Sequence, residues 1–170
     1  MANITAADQK KFTAEVAFVG SCYAERCELI RYLNRHLDTP VKVWGRGWRH
    51  CKDVHSHGPL SLADSLKVHA CSKISLNLHH ANTSNGFNMK FYEIPAAGGF
   101  QICDWQALLE ETALGKQTLA YRSFAEAAEK INYYLAHEQQ RRQLIKAASE
   151  TVFTTENYAA RLAGLFNHLP

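Results

Sequence analysis

The sequence is short of the features that mark most specialised protein classes. It has no run of ~18 apolar residues, which excludes an ordinary transmembrane helix. Its first residues, MANITAADQKKF, lack the apolar centre of a secretory leader. Net charge is only +3 across 170 residues, and Arg141-Arg142 is the sole adjacent arginine pair, so no nucleic-acid surface is implied. The five cysteines form no CxxC pair and are odd in number; they read as buried or incidental thiols in a reducing compartment, implying a cytoplasmic protein. There is no G-x-G-x-x-G dinucleotide fingerprint, no G-x-S-x-G elbow and no D-x-D. Internal repeats and low-complexity tracts are also missing.

What is present is an ordinary globular balance, 46% apolar and 21% charged, at a length that suits one domain. Residues 1–13 are polar and read as a flexible lead-in or linker remnant, with the domain proper over 14–170. Short β-rich runs at 15–21, 41–45, 73–80, 99–104 and 117–121 predict five buried strands. Helical spacing appears at 23–37, 61–72 and 87–98, and again through the last third. Ser61 with Asp64 and Ser123 with Glu126 have capping-box spacing. Apolar stripes run over Leu144, Ile145, Ala148 and Val152, then over Tyr158, Leu162, Leu165, Phe166 and Leu169. Alternation of strands and helices predicts an α/β fold: one Rossmann-like, doubly wound parallel sheet of about five strands, with helices on both faces and extra carboxyl-terminal helices. In such sheets ligands bind at the carboxyl edge of the strands.

The segments after the strands therefore carry the functional candidates. The stretch SNGFNMKFYEIPAAGG opens with an Asn85-Gly86 turn, and a helix is expected to begin near Phe87 or Asn88. A helix start favours an anion such as phosphate, Lys90 in its first turn can add a point charge, and Glu93 lies one turn on. A carboxylate beside a phosphate site suits the two hydroxyls of a ribose. A plain surface Lys–Glu pair fits the same spacing. Gly20-Ser21, ending the first strand, offers close backbone approach or is simply a turn. His50, Cys51, His55, His57 and His79-His80 include metal-ligand types without the paired spacing of zinc sites. His79, at a strand end, suits substrate contact better than metal. Cys22 at a helix start could be a nucleophile, but no base is identifiable.

Taken together, VAFVGS…ER…LIRYL, VKVWGRGW, HGPLSLADSLKVHACSKISLNLHH and NMKFYEIPAAGGFQICD resemble the carboxyl-terminal half of a GT-B glycosyltransferase. The nearest pattern is the group 1 family that includes the spore-maturation (CgeB-like) proteins. The resemblance covers about residues 15–166. It implies half of a GT-B fold that binds a nucleoside-diphosphate sugar as donor and passes a hexosyl group to an acceptor, without a metal or other cofactor. By the same resemblance Glu93 would hold the ribose, and Gly86, Phe87, Asn88 and Lys90 would face the diphosphate or sugar. Gly20 and Ser21 would approach the phosphates, with Arg46 as a further cation. Trp44, Gly45, Gly58 and Leu60 would lie beside the base. Lys90, Asn85 and His79 are the candidates for a catalytic part. Asn85 stands where many relatives carry the first glutamate of a Glu-x7-Glu pair. Acceptor recognition would belong to an amino-terminal half in the same or another chain. The alternative is a non-catalytic binding or assembly module that works with a partner protein.

Overall fold

The structure is a computed structural model that describes residues 3–80, 86–157, 159–160 and 162–163. Five strands, β1 (Ala14–Val19), β2 (Lys42–Trp44), β3 (Ser72–Asn77), β4 (Gln101–Asp104) and β5 (Leu119–Tyr121), make one sheet in the order β2-β1-β3-β4-β5. Every neighbouring pair is parallel, as expected from the alternating pattern. The chain steps from β1 outward to β2, then returns past β1 to β3. The β1–β3 border is thus the point where the winding reverses and a crevice opens at the carboxyl edge.

β1 shows why its sequence lacks alternation. Val16 and Phe18 enter one apolar cluster, whereas Ala17 and Val19 enter another on the opposite face. A strand covered on both sides needs apolar residues throughout. On one face lie α2 (Ala24–His36) and α6 (Phe124–Ala136), contributing Leu29, Ile30, Leu33, Ala127 and Ile131. The other face is covered by α1 (Ala6–Phe12), α3 (Leu62–Cys71), α4 (Lys90–Ala96), α5 (Ala113–Gln117) and α7 (Glu138–Thr154). β3 differs from β1. Ile74 and Leu76 are apolar and buried on one face, while Ser75 and Asn77 are buried and polar on the other.

Capping explains several boundaries. Ser61 Oγ accepts from the Asp64 amide, and Ser123 Oγ accepts from the Glu126 amide. The Glu126 carboxylate, however, accepts from the Arg122 amide, one residue before the cap, so the expected box is shifted. The complete reciprocal box is Thr5 with Asp8. It starts α1, in a segment expected to be a flexible lead-in. That expectation fails over 5–12: Phe12 is buried beside Ala14 and Val68, and Lys67 of α3 bonds Asp8 at 2.9 Å. A buried aromatic ring and a full cap give this short segment the anchors its polar composition hides. Helix α4 is shorter than the expected 87–98, because the ladder starts only at Lys90 and ends where Gly98 turns left-handed at φ +82°.

A second correction concerns the cysteines. Cys27 on α2 and Cys51 after β2 form a disulfide. The reading of all five as thiols fails, since residues 24 apart in sequence meet only through the fold, and the inference of a reducing compartment loses its footing. Cys22, Cys71 and Cys103 are free. No helix among the described residues is long and apolar enough to cross a membrane. Of the last apolar stripe, Tyr158, Leu165, Phe166 and Leu169 lie outside the described residues.

Candidate active site

An open cleft of about 350 Å³ lies at the carboxyl edge of the sheet, beside β1 and β2. Its floor is backbone: Gly20 and Ser21 follow β1, and Gly45 and Arg46 follow β2. Leu60 and Ser65 come from the start of α3 and the loop before it, and Lys90 and Glu93 from α4.

The floor is tight. The Gly20 amide donates to the Trp44 carbonyl at 2.8 Å, the Cys22 amide to the Arg46 carbonyl at 2.8 Å, and the Gly45 amide to the Gly58 carbonyl at 2.9 Å. Trp48 Nε1 donates to the Gly20 carbonyl at 2.9 Å. Gly45 has φ +147°, and a methyl group there would sit 1.9 Å from the Gly20 oxygen. Only glycine lets the two loops touch. Gly45→Ala should therefore cost about 1–3 kcal/mol of stability through overpacking. At Gly58 (φ +86°) no atom lies within 4 Å of an added methyl. Gly58→Ala should cost only the left-handed backbone, about 1 kcal/mol. Urea unfolding of the two variants measures the difference; equal losses would mean the Gly20–Gly45 contact is unimportant.

Lys90 is the electrostatic centre of the cleft. Burial lowers its pKa below the ordinary lysine value of 10.5, the Glu93 carboxylate pulls it back up, and the Arg26 guanidinium pushes it down again. No carboxylate of the described residues comes within 4 Å of its ammonium, although Lys11, Lys67, Lys73, Lys130 and Lys146 all find one. A half-buried cation with no carboxylate in ion-pair contact among the described residues is a costly arrangement. Arg26 is engaged otherwise: it donates to the Ser21 carbonyl at 3.1 Å and the Leu78 carbonyl at 2.9 Å, tying the loops after β1 and β3 together. Behind the cleft, His69 of α3 is buried, with Nδ1 3.0 Å from Ser75 Oγ and Nε2 without a hydrogen-bond partner among the described residues. Burial, reinforced by Lys90, drops its pKa to about 3, so it is neutral at ordinary pH.

Of the sequence candidates, the fold brings Gly20, Ser21, Gly45, Arg46, Leu60, Lys90 and Glu93 to one cleft. Trp44 is buried against α3 and leans on His57, so its ring is not in the lining. Gly58 contributes its carbonyl to Gly45 from behind. Phe87 stacks on Phe91 with centroids 3.7 Å apart. Gly86 has open space around its α-carbon, and Asn88 points inward to Asn77. His79 lies apart: its Nδ1 is 2.7 Å from Asp104 Oδ1, its amide donates to the same oxygen, and Nε2 is buried without a hydrogen-bond partner among the described residues. Asn85 lies outside the described residues. Cys51 of the histidine-rich loop is consumed by the disulfide, and no group of three or more His, Cys, Asp or Glu among the described residues converges on a metal position. Met89, Ser61, Leu62 and Pro59 also line the cleft and were not foreseen. Ser61 was legible only as a helix cap, and the exposed Met89 carries no chemical signal of its own.

The model of a family described as glycosyl transferase-like matches residues 26–167, most of the chain. The chain belongs to that family. The fold is half of a GT-B glycosyltransferase. Among solved structures, a glycosyltransferase from Rickettsia africae ESF-5 superposes with a TM-score of 0.70 at 12% identity, over 98% of this chain and 52% of its own. AviGT4, a glycosyltransferase involved in avilamycin A biosynthesis, superposes at 0.58 with 14% identity, over 92% and 53%. This glycosyl transferase-like chain thus spans about half the length of the enzymes it resembles. Among curated proteins, none matches its sequence.

Proposed function

We propose that this domain holds the donor of a glycosyltransferase reaction, a nucleoside-diphosphate sugar from which a hexosyl group passes to an acceptor. The observation that carries this reading is the half-buried Lys90 ammonium, unpaired among the described residues and one helical turn from Glu93 in a cleft of suitable size. In glycosyl transfer the bond from the sugar to the diphosphate breaks, and the leaving diphosphate gains negative charge. A cation already desolvated at that position stabilises the charge as it develops. Glu93, acceptor-only when ionised, is suited to the two ribose hydroxyls. The backbone at Gly20, Ser21 and Gly45 lines the cleft where phosphates would lie, and exposed Arg46 at the rim adds a second cation. Within the family, the segment NMKFYEIPAAGG favours the CgeB-like branch. Acceptor binding belongs in this reading to a second half, supplied by the same protein or a partner.

A thermal-shift panel of nucleoside diphosphates tests the proposal. One of them should raise the melting temperature saturably, and Glu93→Ala should weaken that ligand by roughly tenfold, the loss of a charge-assisted hydrogen bond. A panel without any response would remove the reading and favour a non-catalytic assembly module on the same sheet.

A further inference from the structure

β3 buries amides instead of apolar side chains on the face that meets α4. Asn77 is 1% exposed and Gln101, beside it on β4, is 7% exposed. Asn77 Nδ2 donates to Asn88 Oδ1 and to Gln101 Oε1, each at 3.1 Å, and Asn88 Nδ2 returns a bond to Asn77 Oδ1 at 2.8 Å. Asn88 Oδ1 also accepts from the Phe91 amide at 3.1 Å, an amide shared with the Asn88 carbonyl at 3.1 Å, and Gln101 Nε2 donates to the Phe91 carbonyl at 3.4 Å. The Phe91 N–H can meet only an oxygen, which fixes the orientation of the Asn88 amide and, through it, that of Asn77. The carbonyl of Phe91 is thus tied to β4 directly, and its amide is tied to β3 through Asn88 and Asn77.

Burying two amides and half-burying a third gains little over burying leucines, because hydrogen bonds to water are lost. What a satisfied polar network adds is a single defined geometry. Helix α4 needs one. It is seven residues long, contains Pro95, and its N-cap, Met89, supplies no side-chain hydrogen bond. A helix of two turns has little stability of its own. Phe91 lies directly between the two cleft residues in sequence, next to Lys90 and two before Glu93. Its ring is fully buried, so the backbone ties and the ring together fix the rotation of the helix about its axis.

We infer that Asn77, Asn88 and Gln101 are positioning residues that aim Lys90 and Glu93 into the cleft. The functional half of this inference rests on the donor-binding reading; the structural half does not. Asn88→Ala is the primary test, because Asn88 is only partly buried and its loss leaves the core intact; Asn77→Ala is the second variant. Exchange of the Phe91 amide in the unliganded protein should quicken several-fold in each: Asn88→Ala removes one of its two acceptors and leaves the carbonyl of residue 88, and Asn77→Ala frees the Asn88 side chain that supplies the other. The double variant should exchange no faster than the worse single, because the two amides act as one unit. UDP, as the probe, should bind each variant about tenfold more weakly at a temperature where the variant is fully folded. Unchanged Phe91 exchange in Asn88→Ala would overturn the inference. So would quickened exchange with wild-type UDP affinity, which would make the network merely structural. If wild-type protein binds neither UDP nor another nucleoside diphosphate, the donor-binding reading fails, and Phe91 exchange alone decides the network.

Discussion

Lys90→Ala should lower the affinity for a nucleoside diphosphate by about one to two orders of magnitude while leaving the unliganded domain as stable as before, or more so. The two halves share a cause. In the free domain the ammonium is half-buried without an ion pair among the described residues, and its pKa lies below the ordinary value because burial opposes its charge. Removing the charge relieves that cost. In the proposed complex the same ammonium would meet a diphosphate oxygen, and a charge-assisted bond of this kind, partly shielded from water, is worth roughly 1.5–3 kcal/mol. The pH dependence follows. Binding needs the protonated lysine, so affinity should hold at neutral pH and fall as pH rises through a Lys90 pKa below 10.5. Calorimetric titration of the wild type and Lys90→Ala across the alkaline range measures both effects. A variant that binds as tightly as wild type would place the anion elsewhere in the cleft.

Acid should unfold this domain sooner than its carboxylates alone would require, and His69 is the reason. Its native pKa is about 3, against an ordinary 6.5, because the ring is buried and the Lys90 charge lies nearby. The sign follows from proton counting. Between these two values the unfolded chain takes up a proton that the native protein refuses. The contribution is fully present above pH 6.5 and is lost progressively as pH falls toward 3. The slope is about 1.4 kcal/mol per pH unit. Over that window the loss is a sizeable share of the 5–15 kcal/mol that holds a domain of this size together. His69→Gln has no proton to gain. It should be less stable at neutral pH, because Gln fits the Ser75 contact imperfectly, yet flatter in stability between pH 6.5 and 4. Denaturant midpoints over that range decide it, and parallel curves for the two proteins would assign the acid lability to other groups.

The parallel sheet was legible in the sequence because two-sided burial writes itself into composition. Val16, Ala17, Phe18 and Val19 cannot alternate when both faces are covered, and such runs recur at helix-sized intervals. The helix caps at Ser61 and Ser123 were legible for the same local reason. The main cleft residues, Lys90, Glu93, Gly20 and Gly45, could be named because a parallel sheet puts its strand ends on one edge. The disulfide was not legible: Cys27 and Cys51 are separated by β2 and meet only when the loop after it folds back on α2. Nor was the ordered amino-terminal helix, whose polar sequence conceals a single buried anchor, Phe12.

By itself, then, the sequence determined the layer order and the chemical character of the strand ends, since both follow from local spacing and from which residues refuse water. Tertiary structure decided what those residues do. It buried Trp44 against α3 and withdrew Asn88 into an amide network with Asn77 and Gln101. It separated His79 from the cleft by pairing it with Asp104, and it left Lys90 half-buried beside no acid within 4 Å among the described residues. Whether a charge is paired, solvated or stranded depends on what the fold brings beside it from distant parts of the chain, and spacing along the sequence does not carry that information.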